Sequence, residues 1–99
     1  MNEDITSQEV KDRIDKGESF NFIDVREEWE YEEANIGAKL IPLSELSKRV
    51  SDIAHMKDQE IVVHCKSGNR SNQAKKFLNS KGFSNVRNML GGITEYQTL

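Results

Sequence analysis

Apolar residues fall in short clusters, and the spacing inside each cluster switches between helical and extended. Thr6-Ser7-Gln8-Glu9 fits a helix capping box, with Thr6 as the cap and Glu9 at the third helical position. Val10 and Ile14 then mark one helical face, and Gly17 ends it. Phe20-Asn21-Phe22-Ile23-Asp24-Val25 alternates and then turns apolar, as a strand entering a core does. Glu27 to Ala34 reads as a short acidic helix or turn broken by Gly37, and Lys39 to Ile41 as a short strand closed by Pro42. Leu43, Leu46, Val50 and Ile53 are spaced for a helix beginning near Ser44. Ile61-Val62-Val63-His64 is a short buried strand. Ser71 to Lys81 is a helix with Ala74, Phe77 and Leu78 inward and Gly82 as its cap, Val86 to Leu90 a last strand, and Gly91-Gly92 a turn into a helical stub. Strands alternate with helices throughout, which predicts an α/β fold: a central parallel sheet with helices on its faces.

The chain has 99 residues, enough for one domain over 1–99 with one modest core. Its net charge of −3 argues against a broad nucleic-acid surface. No stretch approaches the ~20 apolar residues of a membrane span, and Met1-Asn2-Glu3-Asp4 lacks the basic and apolar regions of a signal peptide. A monomer in the cytoplasm is the expectation. The single cysteine excludes an internal disulfide and a cysteine-cage zinc site. That leaves an inert core thiol or a working one.

Context decides for a working thiol. In Ile61-Val62-Val63-His64-Cys65-Lys66-Ser67-Gly68-Asn69-Arg70-Ser71 a buried strand runs into Cys65, a short polar loop follows, and a helix starts. Ligands of open parallel sheets bind beyond the carboxyl ends of strands, which is where Cys65 falls. Gly68 permits a tight loop whose N–H groups form an anion nest, the helix start adds a positive dipole end, and Arg70 adds a permanent cation. Each favours thiolate over thiol. His64 is next to Cys65, but strand neighbours point to opposite faces, so a general-base role is not expected of it. With only two histidines, His64 and His55, a thiol protease or a histidine zinc site has little support.

These residues resemble the single-domain rhodaneses, a family of sulfurtransferases. Cys65-Lys66-Ser67-Gly68-Asn69-Arg70 matches the family's C-x-x-G-x-R loop, and Ser71 its usual following serine. Phe22 to Glu27 is similar to the "LIDVRE" strand, Glu30-Tyr31 to the acidic-aromatic pair after it, Ile41-Pro42-Leu43 to "IPL", Leu90 to Ile93 to the closing "L-x-G-G" turn, and Thr6 to Val10 to the opening helix. Ala34-Asn35-Ile36-Gly37-Ala38 departs from the family's "G-H-I-x-G-A": the histidine is absent and one residue is missing. The last helix is expected to be short.

The resemblance implies a rhodanese-like sheet of four or five parallel strands flanked by helices. It also implies sulfur transfer through a Cys65 persulfide, from thiosulfate or a persulfide donor to cyanide, a thiol or a carrier protein. Lys66, Ser67, Gly68, Asn69 and Arg70 would bind the anion or persulfide, with no metal and no cofactor. The expected partners are a small anionic sulfur donor and a sulfur-carrier protein, with no nucleic acid and no membrane. Two further readings stay open: a binding or sulfur-carrier module without turnover, and a cysteine-loop phosphatase or arsenate reductase. The latter is disfavoured by loop length, since those loops resemble C-x5-R and only four residues separate Cys65 from Arg70.

Other residues carry weaker expectations. Asp24 is either a support for the active loop, as in the family, or a turn aspartate. Arg26 is expected to pair with the nearby glutamates. Lys66 either attracts an anionic donor or is simply solvated, and Ser67 either hydrogen-bonds the sulfur or caps the loop. The run Glu27, Glu28, Glu30, Glu32 and Glu33 reads as a solvated face, with docking to a basic partner as the alternative. Trp29 and Tyr31 read as packing residues at the active-site edge.

Overall fold

A computed structural model describes residues 3–99. Five parallel strands form one sheet in the order β1-β5-β4-β2-β3: β1 Ile5–Thr6, β2 Asn21–Asp24, β3 Lys39–Leu40, β4 Glu60–His64 and β5 Asn85–Leu90. Between them run α1 (Ser7–Asp15), α2 (Glu28–Glu33), α3 (Leu43–Arg49) with a 3-10 helix over Val50–Met56, α4 (Asn69–Ser80) and finally α5 (Gly92–Tyr96).

The two faces of the sheet are read off β4 by alternation. Ile61, Val63 and Cys65 point into the larger core, where Leu46, Ile53, Ala74, Leu78 and Phe83 arrive from α3, the 3-10 helix and α4 and its end. Val62 points to the other face, with Ile5, Val10 and Met89 under α1. His64 lies on that same second face, its ring 5.1 Å from the Phe22 ring. Cys65 and His64 therefore diverge, as the strand period requires.

The capping box of α1 forms as read: Glu9 N donates to Thr6 Oγ1 at 3.0 Å, and Thr6 N to Glu9 Oε1 at 3.1 Å. Three local expectations change. Ile5–Thr6 is a short edge strand pairing with Met89 and Leu90, which two residues beside a cap could not reveal. The run from Leu43 to Ile53 is not one helix; it tightens to 3-10 geometry at Val50, where the i, i+3 pair Val50 and Ile53 still shares one side. The helix after the polar loop starts at Asn69 rather than Ser71, because Gly68 takes up the left-handed turn before it at φ +109°.

Candidate active site

Cys65 stands at the carboxyl edge of the sheet, between the ends of β2 and β5. Its loop is fixed from behind by the start of α5: Ile93 N donates to the Cys65 carbonyl at 2.9 Å and Thr94 N to the Lys66 carbonyl at 3.1 Å. Gly92 makes this approach possible. Its φ is +61°, and a Cβ there would lie 2.3 Å from the Lys66 carbonyl oxygen. The Gly91-Gly92 turn is thus the backing of the cysteine loop.

The sulfur is the focus of converging donors. Gly68 N donates to Cys65 Sγ at 3.1 Å and Ser71 N at 3.3 Å, and Ser71 Oγ lies 3.3 Å away. Cys65 is 1% exposed, so burial pushes its thiol pKa up. The Ser71 hydroxyl and the backbone N–H groups of Ser71, Gly68 and Ser67 push it down and prevail, leaving it below the ordinary thiol value. Behind Ser71 lies Asn88, buried in β5. It accepts from Ser71 Oγ at 2.5 Å and donates through Nδ2 to the Gly68 carbonyl at 3.2 Å.

Arg70 does not hydrogen-bond the sulfur. Its guanidinium forms a two-armed pair with Glu30, Nη1 to Oε1 at 2.6 Å and Nη2 to Oε2 at 2.9 Å, and feels the Cys65 charge only through space. The pair with Arg70, chief among its interactions, holds the Glu30 carboxyl at about 2 against the opposing effect of burial. Glu30, expected on a solvated acidic face, is instead half-buried and bound to the loop.

Arg26 does not pair with the glutamate side chains. Extended backbone puts residues i and i+2 on one side, and Arg26 turns back onto Asp24: Nη2 to Oδ2 at 2.8 Å and Nε to both oxygens at 3.1 Å. Its other bonds go to the carbonyls of Glu30 (3.4 Å) and Ala34 (2.7 Å), so it anchors α2 from below. Trp29 is 63% exposed and is not a packing residue, whereas Tyr31 is half-buried and donates from its hydroxyl to the Ala38 carbonyl at 2.8 Å.

Asp24 reaches the loop only indirectly. His64 Nε2 lies 3.5 Å from Asp24 Oδ2, and Nδ1 lies 3.3 Å from the Cys65 carbonyl. A carbonyl only accepts, so Nδ1 carries the proton. Burial holds the His64 pKa below the ordinary value, against the pull of Asp24, and the ring is neutral. Lys66 and Ser67 are exposed. Lys66 sits with Arg26, Trp29, Glu33, Thr94 and Gln97 around a cavity of about 180 Å³ beside the loop.

A buried-strand cysteine under a short amide nest can act as a nucleophile and hold negative charge on sulfur. The family model described as Rhodanese-like domain matches residues 6–99. The chain belongs to the rhodanese-like domain family. Thiosulfate sulfurtransferase PspE of Escherichia coli is 34% identical over 76 residues, covering 76% of this chain and 72% of PspE. The Bacillus subtilis protein YrkF, provisionally named a sulfur carrier protein, is 37% identical over 94 residues; that is 94% of this chain and 50% of YrkF, so the chain spans about half of that relative's length. The fold superimposes on the crystal structure of a rhodanese-related protein from Thermoplasma volcanium with a TM-score of 0.83 at 29% identity, covering 97% of this chain and 91% of the other. As a rhodanese-like domain, the chain has relatives named both as sulfurtransferases and as sulfur carriers. No helix among the described residues is long and apolar enough to cross a membrane.

Two roles escape a reading of the sequence alone: Glu30 as the partner of Arg70, and Asn88 behind Ser71. Asn88 left one signal: a polar residue between Val86 and Met89 in an otherwise apolar strand.

Proposed function

We propose that the chain is a sulfurtransferase that carries sulfane sulfur on Cys65. One observation carries the reading: the Gly68 and Ser71 N–H groups converge on a single sulfur at the carboxyl edge of the sheet. In the first half-reaction the Cys65 thiolate attacks the outer sulfur of thiosulfate. A bond forms between Sγ and that sulfur, its bond to the sulfonyl sulfur breaks, and sulfite leaves with the electron pair. In the second, cyanide, a thiol or a carrier protein attacks the outer sulfur of the persulfide, and the Cys65 thiolate departs. The loop N–H groups serve both steps because the departing or resting charge lies on sulfur each time. Lys66, exposed at the cavity mouth, draws in a small anionic donor, and Trp29 offers an apolar rim to an acceptor.

The test is steady-state kinetics of thiocyanate formation with thiosulfate and cyanide both varied. Parallel double-reciprocal lines are expected, together with loss of turnover in Cys65→Ser. Converging lines, or turnover near wild type in Cys65→Ser, would overturn the reading. The name of YrkF favours a second one, in which a protein persulfide loads Cys65 and thiosulfate does not; it calls for no thiosulfate turnover but a Cys65 adduct from a persulfide donor.

A further inference from the structure

Cys65, Ser71 and Asn88 form one buried hydrogen-bonded chain, and its donors can be assigned. Asn88 Nδ2 donates to the Gly68 carbonyl at 3.2 Å, which fixes the amide so that Oδ1 faces Ser71. Ser71 Oγ donates to that Oδ1 at 2.5 Å and lies 3.3 Å from Cys65 Sγ. Ser71 is 0% exposed and Asn88 4%, so bulk water replaces neither partner. A serine hydroxyl has one proton. It goes to Asn88 or to the sulfur.

We propose that Asn88 is a positioning residue for Cys65: it holds the Ser71 hydroxyl proton, so that this hydroxyl accepts from the resting thiol and must turn away from Asn88 before it can stabilise the thiolate. The inference deepens the sulfur-transfer reading, but its test reads ionisation of Cys65 and not sulfur transfer, so the two fail separately.

In the resting state the thiol donates to Ser71 Oγ, the hydroxyl donates to Asn88 Oδ1, and the Gly68 and Ser71 N–H groups face the sulfur lone pairs. On ionisation the hydroxyl swings to the sulfur. It gains a charge-assisted bond, and Asn88 Oδ1 is left buried without a donor. A charge-assisted bond is roughly twice as strong as a neutral one, but a stranded buried acceptor costs a comparable amount. Contact of the Ser71 hydroxyl with the sulfur would by itself lower the thiol pKa, but while Asn88 competes for its proton the net stabilisation it gives the thiolate is small, and the backbone N–H groups carry the rest of the depression. Once sulfur is loaded, the negative charge sits on the outer atom and Sγ is neutral, so the hydroxyl returns to Asn88. The triad thus favours a protonated resting cysteine without blocking turnover.

Other charged groups nearby do not replace this control. Arg70 acts on the sulfur through space and is tied to Glu30. His64 is neutral and bonds the Cys65 carbonyl from the far face. The Asp24–Arg26 pair lies behind His64, and Lys66 is exposed in the loop. Asp4 accepts from Asn88 N at 3.1 Å and from Lys75 Nζ at 2.6 Å, so it holds the Asn88 backbone rather than its amide group.

The experiment measures the rate of iodoacetamide alkylation against pH for wild type, Ser71→Ala, Asn88→Leu and the double variant. Ser71→Ala is expected to move the apparent Cys65 pKa by less than about half a unit. Asn88→Leu is expected to lower it by about one unit, a tenfold rise in acidity, by freeing the hydroxyl for the thiolate. The Gly68 carbonyl keeps the Asn72 N–H at 3.0 Å in that variant, so the loop retains a tether. In the Ser71→Ala background, Asn88→Leu should shift nothing. The proposal is overturned if Ser71→Ala moves the pKa further than stated, if Asn88→Leu fails to lower it, or if the Asn88 effect persists without Ser71. Should Asn88→Leu not fold, Ser71→Ala alone decides.

Discussion

Arg70 and Glu30 close a two-armed ion pair, at 2.6 and 2.9 Å, that ties the end of the cysteine loop to α2. The same Glu30 Oε1 accepts the Glu27 N–H at 2.9 Å, so one carboxylate both starts α2 and anchors Arg70. The cation that family resemblance assigns to the sulfur is therefore held beside it by a partner forty positions away in the chain.

This pair should give stability a specific acid dependence. The folded Glu30 carboxyl titrates at about 2, below the ordinary 4.5. Its contribution is full above about pH 4.5 and is lost as pH falls toward 2. Glu30→Gln should unfold in urea with about 1 kcal/mol less stability at pH 7, because the pair is only part-buried. The gap between the two proteins should narrow below pH 4.5; a gap constant with pH would mean that the charge of Glu30 is not what matters.

His64 should make the protein acid-sensitive at a higher pH. Burial lowers its folded pKa below the ordinary 6.5, so the unfolded chain binds a proton that the folded one refuses. Stability should then fall as pH drops below about 6.5, with a slope of at most about 1.4 kcal/mol per unit, one proton's worth. Urea midpoints from pH 7.5 to 5 in wild type and His64→Asn check this. Equal slopes would place the acid sensitivity elsewhere.

Gly92→Ala should be far more damaging than Gly37→Ala, although both glycines have positive φ. A Cβ at position 92 would lie 2.3 Å from the Lys66 carbonyl oxygen, whereas at position 37 nothing lies within 4 Å. The expected costs are about 3 kcal/mol or more and about 1 kcal/mol, respectively. Denaturant unfolding gives both, and comparable losses would show that backbone conformation alone, not the packing of the turn against the loop, sets the cost.

Aryl phosphates should not be turned over. The loop from Cys65 to Arg70 points its N–H groups at the sulfur, and Arg70 is occupied by Glu30. A nitrophenyl phosphate assay should show no release above that of Cys65→Ser; turnover that depends on Cys65 would overturn the loop-length argument.

Much of this was legible because it is local. Capping by Thr6 and Glu9, the alternation that separates His64 from Cys65, and the glycine at the head of α4 depend on residues within a few positions of one another. The missed features are long-range. Glu30 on α2 meets Arg70 at the head of α4 across forty positions, and Asn88 meets Ser71 because α4 packs on β5. Arg26 departs from its expected partner for a related reason. Five glutamates close in sequence looked like the nearest charge, but the strand pleat turns Arg26 toward Asp24 and the carbonyls beneath α2.

The most direct test of the central claim is the intact mass of the protein after incubation with thiosulfate, with peptide mapping, before and after addition of cyanide. The account expects the mass of one added sulfur atom, located on the peptide containing Cys65, absent from Cys65→Ser and removed by cyanide as thiocyanate. An unchanged mass with thiosulfate and with persulfide donors alike, or a sulfur adduct outside the Cys65 peptide, would contradict it.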